Sequence, residues 1–303
     1  MSDFTNPIFT DEDKAREHLE SLRWSKHRSC PHCGEFEHTS PTASKNHKSG
    51  LYVCLSCKQT FTVTVGTLFE RSHVPLNKWM HAFYLMSASK KGISSKQLER
   101  MLEVTYKTAW FMSHRIREAM RPEGRGMLGG GGQIIEADET FIGRKPGTKK
   151  GHGGYAHKEA IFSLVERNGT VRSFHVNDVT GATLKAKLKE NVSPSAKLMT
   201  DDFRSYRPAG KEFASHEVVK HSLGEYVRGD VHTNTIEGFF SIFKRGMYGV
   251  YQHVSSHHLN RYTTEFDFRY NHREKLGYSD TDRAEIALKG VSGKRLTYRR
   301  TGA

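Results

Sequence analysis

Four cysteines, all lying between positions 30 and 57, constrain this chain more than any other feature. They stand as two C-x₂-C pairs, Cys30-Pro-His-Cys33 and Cys54-Leu-Ser-Cys57, with residues 34–53 between them. Each such turn directs two sulfurs at one point, so four thiolates make a closed tetrahedral site suited to structural Zn²⁺, with no position left for catalysis. His32 and His38 lie in the same stretch, but four sulfurs already fill the shell. A module this small cannot bury enough surface to fold alone, so zinc binding is largely its folding energy. The N-terminus opens with the polar run MSDFTNPIFTDEDK. With no secretion signal there, reduced thiols in a cytoplasmic setting are expected rather than disulfides.

Charge narrows the partner. Lys and Arg number 47 against 33 Asp and Glu in 303 residues, a formal net charge of +14, which favours a polyanion. Nucleic acid leads, with an anionic membrane surface as competitor. No stretch reaches the roughly 18 uninterrupted apolar residues of a membrane-spanning helix. The length predicts two or three folding units.

Residues 9–23 have helical character, with Thr10 or Asp11 as cap and Ala15, Leu19 and Leu22 on one side. The alternating run Gln59–Val65 reads as a strand closing the cysteine module. Helical patterns then cover 76–86, 94–103 and 106–120, up to the glycine-rich stretch 123–132, the clearest boundary in the chain. Beyond it, strands are expected at 133–138, 160–165 and 171–176, the last two turning at Asn168-Gly169. A helix over 183–190, strands over 197–200 and 216–220, and a strong helix over 234–247 complete a mixed α/β domain. The expected divisions are 1–70 (lead-in helix and zinc ribbon), 71–122 (helix-turn-helix), 123–132 (linker), 133–280 (α/β domain) and 281–303. This last is a mobile basic tail carrying Lys289, Lys294, Arg295, Arg299 and Arg300.

Within 92–110, Ser94 or Ser95 caps a helix with Leu98, Met101 and Leu102 inward, and a turn at Val104-Thr105 leads to a second helix. Its outward face is expected to offer Lys107, Thr108, His114, Arg115 and Arg117. Such a helix can lie in the major groove of DNA while basic side chains hold phosphates. A plain helical bundle with a solvated basic face is the alternative.

Asp138 follows Ile134-Ile135 and Asp201 follows Leu198-Met199-Thr200. Carboxylates at strand ends can converge at one sheet edge, where Mg²⁺ or Mn²⁺ accepts oxygen ligands; singly, each is as readily a turn or cap residue. In the helix from Asn234, an apolar stripe (Ile236, Phe239, Phe240, Phe243, Met247) faces away from a polar one (Asn234, Glu237, Ser241, Lys244). Glu237 can therefore point toward the aspartates, with Lys244 two turns on for a DNA phosphate and Arg245 beside it. His232 projects with the apolar side if it is helical. Asn234 and Glu237 also fit a capping arrangement, which makes Asn234 the rival third ligand.

The motifs Ala-Asp138-Glu-Thr-Phe-Ile-Gly143, Thr-Asp201-Asp-Phe-Arg-Ser-Tyr206 and His232-Thr-Asn-Thr-Ile-Glu237-Gly-Phe-Phe-Ser-Ile-Phe-Lys244 resemble those of bacterial insertion-sequence transposases. So do Tyr262 and Glu265-Phe-Asp-Phe-Arg-Tyr-Asn271. The resemblance is to insertion-sequence group fifteen ninety-five, with its ISXO-two-like transposase domain, and covers nearly the whole chain. It implies an RNase H-like core whose first strand gives Asp138, whose fourth gives Asp201, and whose later helix gives a third ligand, Glu or Asn. Residues 202–236 separate Asp201 from Glu237, a spacing like that of the wider three-acid class.

The implied chemistry is two-metal phosphoryl transfer at the ends of an insertion sequence, with Asp138 bridging the ions and Asp201 and Glu237 holding one each. Implied partners are double-stranded DNA (the element's terminal inverted repeats and the target) and further copies of the chain in a homo-oligomer, on the bacterial nucleoid. A non-catalytic zinc-ribbon and helix-turn-helix regulator is the rival class; a simple metal-dependent nuclease would share the carboxylates.

Overall fold

A computed structural model describes residues 5–42, 49–124, 126–149 and 154–297. The chain divides into two compact units: Met1–Ser89, Ile93–Arg121 and Tyr278–Ala303 form the first, Lys90–Gly92 and Pro122–Gly277 the second.

The first unit opens with α1 (Glu12–Arg23), capped by the Asp11 carboxylate, which accepts the N–H groups of Asp13 and Lys14. Ala15 and Leu19 are its buried residues. A three-stranded antiparallel sheet follows, β1 (Thr39–Pro41), β2 (Tyr52–Cys54) and β3 (Thr60–Phe61), with Trp24, Tyr52 and Phe61 packed around the cysteines. The expected strand Gln59–Val65 is shorter than its alternation implied, because Thr62 to Val65 fold into a turn closed by Val65 N–H on Thr62 O at 3.2 Å. Three helices come next: α2 (Leu76–Ala88), α3 (Ser95–Leu102) and α4 (Tyr106–Ala119). Ser94 caps α3 and Thr105 caps α4, and Glu103 between them takes the left-handed conformation, φ 52°. Leu98 and Leu102 are buried as expected, but Met101 is exposed.

The second unit is built on a five-stranded sheet. Its strands are β4 (Ile134–Ile142), β5 (Glu159–Glu166), β6 (Val171–Val176), β7 (Lys197–Thr200) and β8 (Ser215–Val218), in the order β6-β5-β4-β7-β8. The first three pair antiparallel, while β7 is parallel to β4 and β8 to β7. On one face, α5 (Gly181–Asn191) packs with Ile135, Ala137, Phe162 and Leu198. The short α6 (Arg207–Gly210) precedes β8, and a small hairpin of β9 (Val227–Arg228) and β10 (Val231–His232) follows it. The other sheet face is covered by α7 (Asn234–Gly246) and α8 (Leu259–Asn271), through Ile236, Phe239, Phe243 and Phe266 against Ile142, Ile161 and Val165. His232 lies in β10 rather than in the helix.

The edge strand β6 is closed by side chains of α8. Asp267 accepts the Ser173 N–H and hydroxyl, and Asn271 pairs with both the N–H and the C=O of Val171. The glycine-rich stretch is part of this unit: Leu128 exchanges backbone bonds with Asn191 and Ser193 at 2.8 Å. At Gly129, φ +76°, a Cβ would lie 2.5 Å from that of Ala196, which excludes any larger residue.

The chain then returns to the first unit as α9 (Asp280–Lys289), capped by Ser279 with a reciprocal bond from Asp282. The expected mobile tail is corrected for residues 290–297, which pack into the first unit. Its backbone bonds Leu68 and Gly66 from Val291 and Gly293, and the buried Lys294 ammonium donates to the carbonyls of Ala119 and Arg121. Arg299 and Arg300 lie outside the described residues. Among the described residues, no helix is long and apolar enough to cross a membrane.

Candidate functional site

The cysteine module brings its four sulfurs together. All four Sγ atoms lie within 4.8 Å of one another, with Cys30–Cys57 at 3.8 Å and Cys33–Cys54 at 3.7 Å. A tetrahedron with Zn–S bonds of about 2.3 Å has edges of about 3.8 Å, so the donor set fits zinc. The two turns are built alike. Cys30 O accepts the N–H of Gly34 (φ +81°), and Cys54 O accepts that of Lys58 (φ 60°), each closed by a left-handed residue. The N–H groups of Cys57 and then Ser56 hold the Cys54 thiol down at about 7, while burial and the neighbouring sulfurs push Cys33 up to about 12, a repulsion between thiolates that a bound cation relieves. His32 and His38 are not part of the group: they contact Thr60 O and Glu35 instead.

The carboxylates are positioned by strand register. The parallel pairing of β4 with β7 runs Ile134↔Lys197, Ile135↔Leu198, Glu136↔Met199. Continued by two residues, it sets Asp138 opposite Asp201, which sits one step past the end of β7. Asp138 itself is not at a strand end but in the middle of the nine-residue β4, opposite Ser163 of β5. The sheet edge is made there by β7 stopping while β4 runs on.

The third group arrives on α7, and a buried carboxylate anchors that helix. Glu136, fully buried and on the same β4 face as Asp138, accepts the N–H of Thr235 (2.9 Å) and of Ile236 (3.0 Å) and the Thr235 hydroxyl (2.8 Å). Arg167 completes the arrangement, donating to Glu136 at 2.6 Å and to the carbonyls of Asp230 and His232. The helix N-terminus therefore takes its anion from the sheet, where its partial positive charge stabilises it. The N-cap is Thr233, and Asn234 is the exposed first residue of α7 with no side-chain cap bond, so the capping arrangement of Asn234 with Glu237 does not form. Glu237 Oε1 instead accepts the Thr233 hydroxyl at 3.0 Å and stands 3.7 Å from His221 Nε2.

The electrostatics tie these groups together. Burial, then the charges of Glu139, Asp201 and Glu237, push the Asp138 carboxyl up to about 8. Asp201 is raised by burial against the bond from Phe203 N–H, with Asp202 and Glu237 adding to the rise and His221 opposing it. Asp202 turns aside to accept the Ser222 hydroxyl. Lys244 and Arg245 are exposed on the same helix, and Arg245 donates to Ser241 at 2.6 Å.

Four participants were not anticipated from sequence: Glu136, Arg167, His221 and Glu139. Glu139, next to Asp138, takes the Tyr206 hydroxyl at 2.5 Å, and burial pushes its carboxyl up to about 7. The polar alternation Glu136, Asp138, Thr140 on one face of β4 was the available signal for Glu136.

In the first unit Lys107 is exposed and Thr108 and Arg115 are half-buried on α4. The expectation for Arg117 and His114 is corrected: both are buried, and Arg117 donates to Ser113 at 3.0 Å. α2 and α9 both pack on α4, covering faces that a single helix would leave to solvent.

Similarity to known proteins follows the same division. Residues 10–60 match the transposase zinc-ribbon domain and residues 127–271 the ISXO2-like transposase domain. An uncharacterized protein in transposable element ISH50 of Halobacterium salinarum is 31% identical over 284 residues, 86% of this chain and 91% of that relative. The Mos1 transposase paired-end complex with left transposon end is 12% identical, covering 62% of this chain and 78% of that one, with a TM-score of 0.20. A pre-cleavage Mos1 transpososome is 14% identical over 58% of this chain and 74% of that one, also with a TM-score of 0.20.

Proposed function

The chain belongs to the ISXO2-like transposase family, and from that premise we propose that its second unit is an RNase H-like catalytic core that cleaves and joins DNA at insertion-sequence ends. The observation that carries this reading is the grouping of Asp138, Asp201 and Glu237: the charges of Asp201 and Glu237 both raise the Asp138 carboxyl, and that of Glu237 raises Asp201. Asp138 lies on the first core strand and Asp201 just past the fourth, on neighbours in the sheet, as such a core requires. The non-catalytic regulator is not favoured, since the transposase-domain match falls on the part a regulator does not need.

Asp138, Asp201 and Glu237 would hold Mg²⁺ or Mn²⁺. Their donor set fits, being hard carboxylate oxygens whose mutual repulsion a cation relieves. When bound, the ions would activate the attacking oxygen and stabilise the leaving one. The contribution of Glu237 rather than Asn234 is supported by its charge acting on both aspartates. Glu136 and Arg167 fix the first turn of α7, which carries Glu237. Lys244 and Arg245 engage the DNA backbone. In the reaction a water or 3′-hydroxyl attacks phosphorus, the bond to the leaving 3′ oxygen breaks, and that oxygen takes up a proton.

In the first unit, α3 and α4 act as a helix-turn-helix, with Lys107, Thr108 and Arg115 meeting DNA, and the zinc ribbon is a structural element. Joining two element ends calls for a second copy of the chain. The test is a labelled element end with flanking DNA incubated with protein and Mg²⁺ or Mn²⁺. Asp138→Asn should abolish nicking and joining while retaining end binding; full activity in that variant would refute the reading.

A further inference from the structure

Three arginines from three separate segments of the first unit meet at one small cleft of about 170 Å³. Arg71 comes from the loop before α2, Arg115 from the third turn of α4, and Arg295 from the segment after α9. Arg115 is held in place: its Nε donates to Leu296 O at 3.3 Å, and its guanidinium lies 4.6 Å from the centre of the Phe111 ring. Burial, then the charge of Arg295, lower its pKa, so two like charges are kept together at a cost that an anion would offset. Among the described residues Glu70 is the one carboxylate lining the cleft, and it is committed to the Gly66 N–H at 3.0 Å, with Arg71 3.9 Å away. Three guanidiniums against one carboxylate leave the cleft positive.

Position identifies the anion. Thr108, Phe111 and Arg115 recur at i, i+3 and i+7 along α4 and so share one stripe. DNA lying against the Thr108 end of that stripe reaches the cleft two turns further on. We infer that the cleft formed by Arg71, Arg115 and Arg295 binds a backbone phosphodiester of double-stranded DNA, with the C-terminal segment supplying one side of the clamp. This rests on the reading of the first unit as DNA-binding. Arginine forks match the two non-bridging oxygens of a phosphodiester, and such a contact fixes register without reading bases.

The experiment uses full-length, zinc-loaded protein and measures affinity for a labelled element end and for an unrelated duplex across a KCl series. Arg115→Gln/Arg295→Gln should weaken both duplexes to the same degree and make the slope of log K against log salt shallower by about one, the release expected from one phosphate. Arg295→Gln alone, at an exposed position, should weaken both as well; zinc content and thermal unfolding matching wild type verify its fold. Wild-type binding without salt dependence would remove the DNA reading itself. Salt-dependent wild-type binding with an unchanged slope in the double variant would overturn the cleft alone, as would a loss confined to one sequence. Inorganic phosphate is the remaining arm: millimolar binding to wild type, absent in the double variant and without effect on duplex affinity, would assign the cleft to a small anion instead.

Discussion

The carboxylate of Glu136 accepts the backbone N–H of Ile236 at 3.0 Å, joining a fully buried strand position to the first turn of a helix a hundred residues away. Asp138 stands two residues further along that strand and Glu237 one residue further along that helix. The bond therefore sets the spacing between two groups of the proposed active site. Glu136→Ala leaves two helix N–H groups and the Arg167 guanidinium without their anion. Breaking one side of a buried pair costs roughly 3–5 kcal/mol, which chemical denaturation should read as a lowered midpoint. Glu136→Gln, which keeps an acceptor, should lose less stability but still slow strand cleavage more than it weakens DNA binding.

Asp138 and Glu139 make stability depend on pH in an unusual direction. Their folded carboxyls sit at about 8 and about 7, above the ordinary values of 3.8 and 4.5. Between those limits the folded state binds more protons than the unfolded one. Their contribution is full below the unfolded values and is lost as pH rises through the folded ones. With zinc bound and no Mg²⁺ or Mn²⁺ added, the melting temperature should fall from pH 5 to pH 8, and Asp138→Asn should flatten that decline. A wild-type profile that rises across this window would contradict the burial and charge assigned to the site.

Zinc removal should act on one part of the first unit. Cys57→Ala leaves three sulfurs of the four, so bound zinc should drop from about one per chain to none. The ring contacts of Trp24 with Tyr52 and Phe61, at 5.4 and 6.0 Å, should go with it, giving a red-shifted tryptophan emission.

Gly246 separates helix propensity from packing. Alanine in a helix interior is favoured over glycine by about 1 kcal/mol. At this position, however, a Cβ would lie 2.4 Å from the Phe266 ring and 2.5 Å from Lys91 O, and backbone cannot yield as a side-chain tip can. Overpacking of that kind costs roughly 1–3 kcal/mol. Gly246→Ala should therefore lower the unfolding midpoint; a rise would show that the contact relaxes easily.

The cysteine pairs, the strand sequence of the second unit and the stripes of α7 were legible because each depends on local spacing. Asp138 and Asp201 could be paired because both follow apolar β-type runs. What stayed hidden depends on neighbours distant in sequence. Arg117 and His114 occupy outward positions on an isolated helix and are buried because α2 and α9 pack on α4. Met101 shows the reverse, an apolar residue on a short helix whose buried stripe holds only Leu98 and Leu102. Glu136 reads as a charge in a strand, and only its bonds to Arg167 and the α7 backbone reveal an anchor. The motif Glu265 to Asn271 turned out to serve packing: Glu265 pairs with Arg269, and Asp267 and Asn271 close the β6 edge.

The first unit is assembled from segments that precede and follow Pro122–Gly277 in sequence. During synthesis its zinc ribbon and α2 to α4 leave the ribosome well before α9 and the segment after it that carries Lys294 and Arg295. Until translation has passed the whole second unit, the first lacks the helix packed against α2 and the Arg295 that lines the proposed anion cleft. A nascent chain interrupted in the second unit thus carries only an unfinished version of the first.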